Sequence, residues 1–196
     1  DSMLRKNDLG NICHEHLEYY TYDSLKYLFE KNGLKIFKLK KNDVNGGSFR
    51  IFCKKKAKKS ISYKEKTTLK DIKQFMYRVE KNKKKCLKFL KNAKEEGKKV
   101  FIYGASTKGN TILQFYGINK NLIKYAAERS PEKWGKYTVQ SGIEIISEER
   151  ARILNPDYFF VFPYAFIKEF IKREKTWLRG GGKFVLPYPS FKVLNK

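Results

Sequence analysis

From residue 98 onward, short, near-continuous apolar runs alternate with longer stretches in which apolar residues return every three or four positions. The runs at 100–103, 123–127, 142–145, 157–162 and 183–186 are too short for helices and are bounded by Gly, Pro or polar residues. They predict buried strands. The intervening stretches 111–116, 147–154 and 165–178 predict helices. The last puts Phe166, Ile167, Phe170, Ile171, Trp177 and Leu178 on one face before the glycines at 180–182 stop it. Near-continuous apolar strands alternating with helices indicate an α/β fold, a Rossmann-like doubly wound parallel sheet with its ligand crevice at the carboxyl ends of the strands.

The first third is patterned differently. Residues 1–20 show no helical apolar period before Leu17 and read as a loop. Leu25, Leu28 and Phe29 recur at helical spacing over 22–32, with Thr21 or Asp23 as cap and Gly33 as stop. Strands at 34–39 and 48–53 around an Asn- and Gly-rich turn at 42–47 make a β-hairpin. Residues 54–66 are rich in Lys and Ser and read as a linker. A helix over 68–96 keeps Leu69, Ile72, Phe75, Met76, Val79, Cys86, Leu90 and Ala93 on one face. At about 40 Å it is suited to bridging two units. The division predicted is therefore 1–66 and 67–196.

Of the 196 residues, 41% are hydrophobic and 15% aromatic, enough for a sizeable core. Lys and Arg number 44 against 20 Asp and Glu, a net charge of +24. Lysines are scattered along nearly every segment and no base-reading motif accompanies them, so the charge solvates surfaces and nucleic acid is not the expected partner. Cys13, Cys53 and Cys86 are odd in number and lack paired spacing, which supports neither a disulfide framework nor zinc. With no membrane-length apolar run and no signal peptide, a cytoplasmic protein is expected. The opening DSMLRKND does not resemble a natural start, and a truncated chain is expected.

Candidate chemistry falls in three places. The sequence KKVFIYGASTKGNT turns a strand into a helix through Gly104, Ser106, Thr107, Lys108, Gly109 and Asn110. Such a turn aims backbone N–H groups, two hydroxyls and a lysine at a phosphate-bearing ligand. The spacing is neither G-x-G-x-x-G nor a P-loop, and glycines serving only close packing explain it equally well. Glu128 ends the second strand of the sheet, where a carboxylate often binds a ribose hydroxyl, with Lys133 in the following SPEKWG turn. A solvated acid opening that turn is the alternative. His14, Glu15 and His16 form the densest cluster, and the chain has no other histidine. Histidine exchanges a proton near neutral pH, which suits a general base, whereas two surface histidines are the plainer reading. With Cys13 they are too tightly spaced for a typical zinc site, so no metal is expected. Phe162, Tyr164 and Phe166 of VFPYAF stand where a carboxyl-end loop could stack on a ligand ring, or belong to the core.

Read in order, ICHEHLEYYTYDSL, GLKIF with VNGGSFRIF, YGASTKGNT, ERSPEKWGKY and VFPYAF resemble the carboxyl-terminal part of SAM-dependent sugar C-methyltransferases, enzymes that methylate C3 of nucleotide-linked deoxy keto sugars. The resemblance covers nearly the whole chain outside 54–66. It implies that 1–66 is the terminal part of a SAM-binding domain, with catalytic loop, helix and hairpin, and that 67–196 is the Rossmann-like substrate-binding domain. It also implies that S-adenosyl-L-methionine is held mainly by an upstream region, so that this chain alone would be inactive. By the same resemblance His16 is the base that removes the C3 proton beside a C4 ketone, and the enolate attacks the donor methyl. Glu15 supports the site through the substrate, and Cys13 stands where the family has tyrosine. Gly104, Ser106, Thr107, Lys108, Gly109, Asn110, Glu128 and Lys133 then line the nucleotide-sugar cleft. A nucleotide-sugar binding module without catalysis and a basic nucleic-acid-binding domain are the competing readings.

Overall fold

The structure, a computed structural model, describes residues 2–42, 47–56, 58–65 and 67–194. The larger sheet has six strands, β3 (Val100–Tyr103), β4 (Tyr125–Glu128), β5 (Glu144–Ser147), β6 (Tyr158–Val161), β7 (Lys183–Leu186) and β8 (Lys192–Leu194). Their order is β5-β4-β3-β6-β7-β8. All neighbours are parallel except β8, which runs antiparallel on β7. The chain builds outward from β3 in one direction and then from β6 in the other, so the order reverses between these two strands. This is the doubly wound arrangement, and the reversal opens a crevice above β3 and β6.

The strand residues alternate between two cores. Val100 and Ile102 of β3 join Phe160, Val185 and the helices α3 (Leu69–Glu95) and α4 (Thr107–Tyr116) on one side. Phe101 and Tyr103 join Phe159, Phe184 and the helices α5 (Glu148–Leu154), α6 (Ile167–Arg173) and α7 (Lys175–Arg179) on the other. Both faces are covered, which is why these strands read as near-continuous apolar runs.

Several boundaries differ from the sequence expectation, each for a local reason. The opening 20 residues hold a short helix, α1 (Ser2–Arg5), and a 3-10 turn at Leu9–Asn11. Arg78 on α3 ties them down, donating to the Leu4 carbonyl (2.8 Å) and to Asn7 Oδ1 (2.6 Å). Helix α4 begins at Thr107 rather than 111, because Ser106 caps it by accepting the Gly109 N–H. The third strand of the large sheet lies two residues later than expected, since Ser147 caps α5 while still pairing with Glu128. The helix expected over 165–178 is a 3-10 turn followed by α6 and α7, with Glu174 at the junction. Strand β8 lacks a strong apolar run and went unread. On α3, Leu69, Ile72 and Met76 are exposed, whereas Phe75, Val79, Cys86, Leu90 and Ala93 are buried.

The hairpin strands β1 (Lys35–Asn42) and β2 (Ser48–Lys54) form a separate two-stranded antiparallel sheet beside α2 (Tyr22–Lys31). Residues 43–46 of the expected turn, and residues 57 and 66 of the expected linker, lie outside the described residues. Around them the arm is pinned. Ser60 accepts from the Ile36 N–H and donates to Glu30, Ile61 N–H donates to the Ile36 carbonyl, and Glu65 accepts from the Tyr22 N–H at 2.7 Å.

At the α6–α7 junction Glu174, 2% exposed, accepts from Tyr103 Oη (2.6 Å) and Arg152 (2.5 and 2.9 Å). Burial alone would raise its pKa. The bonds from Arg152 and Tyr103, with the charges of Arg152 and Arg173, outweigh that and hold it below the ordinary carboxylate range. A depressed native pKa means that the stabilisation is complete above the unfolded carboxylate's pKa and is lost as pH falls through the lowered value. Glu174→Gln is expected to cost about 1–3 kcal/mol near neutral pH and to flatten this part of the acid limb in urea titrations at stepped pH.

Candidate active site

The glycine turn sits where the strand order reverses. Gly104 follows β3 with φ +90°, and a Cβ there would meet Pro163 Cγ at 3.0 Å. Glycine therefore lets the two loops that follow β3 and β6 lie side by side. Gly109 lies one turn into α4 against the Phe162 ring, where a Cβ would stand 3.1 Å from Cδ2. The two glycines thus serve close approach within the fold. What they leave above the sheet is the first turn of α4, whose peptide N–H groups point out of the helix end.

Three hollows surround that turn. The first, about 300 Å³, lies over the carboxyl ends of the strands and includes Gly104, Ser106, Glu128, Lys133, Phe166 and Arg173. Its acids and bases are largely paired. Arg173 meets Glu148 at 2.7 Å and Glu169 at 3.4 Å, and Lys133 meets Glu128 at 3.6 Å. The second, about 180 Å³, is lined by Asp8, Ser106, Lys108, Tyr164, Phe166 and Tyr188. The third, about 470 Å³, brings Cys13 and His14 of the opening loop to Thr107, Asn110 and Thr111 of α4.

The opening loop reaches α4 because Gly10 packs on Lys108, where a Cβ would come within 2.9 Å of the lysine Cβ. Lys108 Nζ also lies 3.8 Å from the Asp8 carboxylate. His14 therefore shares a hollow with two residues of the glycine turn. His16 and Glu15 are exposed and line none of the three. His16 is oriented nonetheless: its Nδ1 lies 2.7 Å from the Asn11 carbonyl oxygen, which also accepts from Tyr19 Oη at 2.8 Å. A carbonyl only accepts, so on a neutral ring Nδ1 carries the proton and Nε2 the lone pair.

Glu128 does several things at once. Oε2 accepts from the Ala105 N–H (2.9 Å), and Oε1 accepts from the N–H groups of Arg129 (2.9 Å) and Ser130 (3.1 Å). Lys133, paired with Oε2, also donates to the Ala105 carbonyl at 2.9 Å. The carboxylate expected to hold a ribose hydroxyl thus spends three of its acceptor positions within the fold, and it holds the glycine turn to the SPEKWG turn. Phe162 is fully buried, in keeping with the core reading of that aromatic, while Tyr164 and Phe166 line the second hollow. Sequence reasoning missed Asp8, Arg129, Glu148 and Arg173. Each gains its place through a fold contact with no motif around it. Among the described residues no group of three or more His, Cys, Asp or Glu is placed to hold a metal ion.

Glu128→Ala removes three acceptor bonds from the crevice wall. The expected cost is about 1–3 kcal/mol, read as a lower urea midpoint, and faster amide exchange at Ala105 and Ser130 would mark the loosened turn.

Residues 43–189 match the family model of the C-methyltransferase C-terminal domain. The chain is also 30% identical to the C-methyltransferase NovU of Streptomyces niveus, over 98% of this chain and 49% of that protein. It thus spans about half the length of this curated relative. The opening loop lies outside the span of the family model, and the alignment with NovU, covering almost the whole chain, takes in nearly all of it. On these matches the chain belongs to the C-methyltransferase family, and residues 43–189 are the part of it that matches the family's C-terminal domain.

Proposed function

We propose that this chain is the base-bearing, substrate-binding portion of a C-methyltransferase that acts on a nucleotide-linked keto sugar. Residues 1–66 are the end of a donor-binding domain, and residues 67–196 are the substrate domain. The observation that carries the reading is the orientation of His16. With Nδ1 committed to the Asn11 carbonyl, Nε2 is the acceptor of a proton. That proton comes from the sugar carbon beside the ketone, and its removal leaves an enolate whose carbon is the nucleophile. Glu15 steadies the substrate from the same loop. His14 stands with Thr107 and Asn110 across the hollow between that loop and α4.

The nucleotide diphosphate lies over the glycine turn. Lys108 and Lys133 supply charge, the first turn of α4 supplies N–H groups, and Gly104 and Gly109 allow the close approach. Glu128 acts by holding this turn in shape. S-adenosyl-L-methionine is the methyl donor in this reading. Three of the acceptor positions of Glu128, the carboxylate of the crevice best placed for an adenosyl ribose, are taken by backbone N–H groups. The donor is assigned to residues outside this chain.

The chain titrated calorimetrically with a nucleotide sugar is expected to bind it and to show no heat with S-adenosyl-L-methionine alone. The reverse pattern would overturn the assignment of the substrate side. In the protein that includes the donor-binding region, His16→Ala is expected to lower kcat by about 100-fold or more with little change in nucleotide-sugar affinity. Equal losses in both would make His16 a binding residue.

A further inference from the structure

Asp8 is an unused carboxylate in the wall of the second hollow. It is 3% exposed, and Oδ2 accepts from Asn11 Nδ2 at 2.6 Å, whereas Oδ1 is buried with no hydrogen-bond partner among the described residues. Lys108 at 3.8 Å is an ion pair too long to be a hydrogen bond to it. Leaving a buried carboxylate oxygen unpaired is costly, and the cost is recovered when a ligand brings a donor. The surroundings say which kind of donor. Tyr164 and Tyr188 meet edge to face at 5.0 Å beside the carboxylate, Phe166 lies on the same wall, and Ser106 is shared with the crevice over the glycine turn.

Resting on the reading above, we propose that this hollow is the sugar subsite, in which Asp8 Oδ1 accepts a hydrogen bond from a hydroxyl of the hexose while the aromatic wall packs against its C–H face. Two features favour the hexose over the nucleoside. A single vacant acceptor oxygen suits one hydroxyl, whereas a base edge presents donors and acceptors in pairs. Asp8 is also joined to the proposed base through one residue, since Asn11 donates its amide to Asp8 and its carbonyl accepts from His16. Asp8 therefore sits on the same short segment as the base, which favours the sugar rather than the nucleoside as the part of the ligand nearest to it.

Asp8→Asn tests this sharply, because Asn11 fixes how the new amide sits. Its oxygen must accept from Asn11 Nδ2, which turns an NH₂ donor to the position now held by Oδ1, so the charge-assisted bond accepted from the hydroxyl is lost and at most a weaker neutral one donated to it remains. The full chain would be titrated with thymidine diphosphate and with thymidine-diphosphoglucose. The variant is expected to lose about tenfold or more in affinity for the glucose conjugate and to bind the diphosphate at least as tightly as wild type, because it also removes a negative charge that Lys108 faces. Equal losses for both ligands, or no loss for the conjugate, would overturn the subsite. Failure of wild type to bind even the diphosphate would overturn the functional reading as well. Should Asp8→Asn fold poorly, Ala165→Leu narrows the same hollow without touching the bonds of Asp8. It is expected to show the same selective loss, and binding of the conjugate at wild-type strength would again sink the proposal.

Discussion

The contact between Gly104 and Pro163 is the constraint on which the site depends. Strands β3 and β6 are neighbours in the sheet, but the chain leaves them for opposite sides, α4 on one and α6 on the other. Two loops must separate within a few residues while their first residues still touch. Gly104 makes that possible by taking a positive φ with the Pro163 ring against it. Everything called a site, the first turn of α4, the hold of Glu128 on Ala105 and the hollow before Tyr164, lies in the gap that this parting leaves.

Glu128 and Asp8 show how differently two acids can be used around one helix end. Glu128 spends its oxygens on backbone N–H groups and a lysine, so it acts as a fastener. Asp8 is more deeply buried, and its environment works against ionisation. Burial pushes its carboxyl up, opposed by the charges of Lys108, Lys6 and His16. The helix end itself favours negative charge nearby. A carboxylate held this way, with one oxygen unmet, is poised to take a donor from outside.

Much of this was legible in the chain because the relevant forces are local. The strand runs of β3, β4 and β6 had to be apolar on both faces, and Gly104, Ser106 and Gly109 had to be small where backbone and ring approach. The order of motifs also announced the family before any coordinates. What stayed hidden depends on partners far along the sequence. Arg78 sets α1 from more than 70 residues away, and the Asp8–Lys108 pair joins segments 100 residues apart. Strand β8 exists because Phe184 and Val185 offer a sheet edge, not because Lys192–Leu194 demands to be a strand. The start of α4 was misplaced for the opposite reason: Gly109 reads as a loop residue, yet Phe162 fills the space its side chain would have needed.

Helix α3 fixes the wall that the opening segment lends to the second hollow. Arg78 holds the opening segment from below, Asn82 donates to the Pro189 carbonyl, and Asn7 donates to that same oxygen. The opening segment ahead of the histidines and the turn into the final strand are thereby bolted to a single rod that also packs under the sheet. Moving that segment as a body would mean tearing several of these fastenings together, whereas the exposed histidines beyond Asn11 are not held by them. The wall that carries Asp8 is therefore seated firmly, and the hollow it lines keeps its shape from that side.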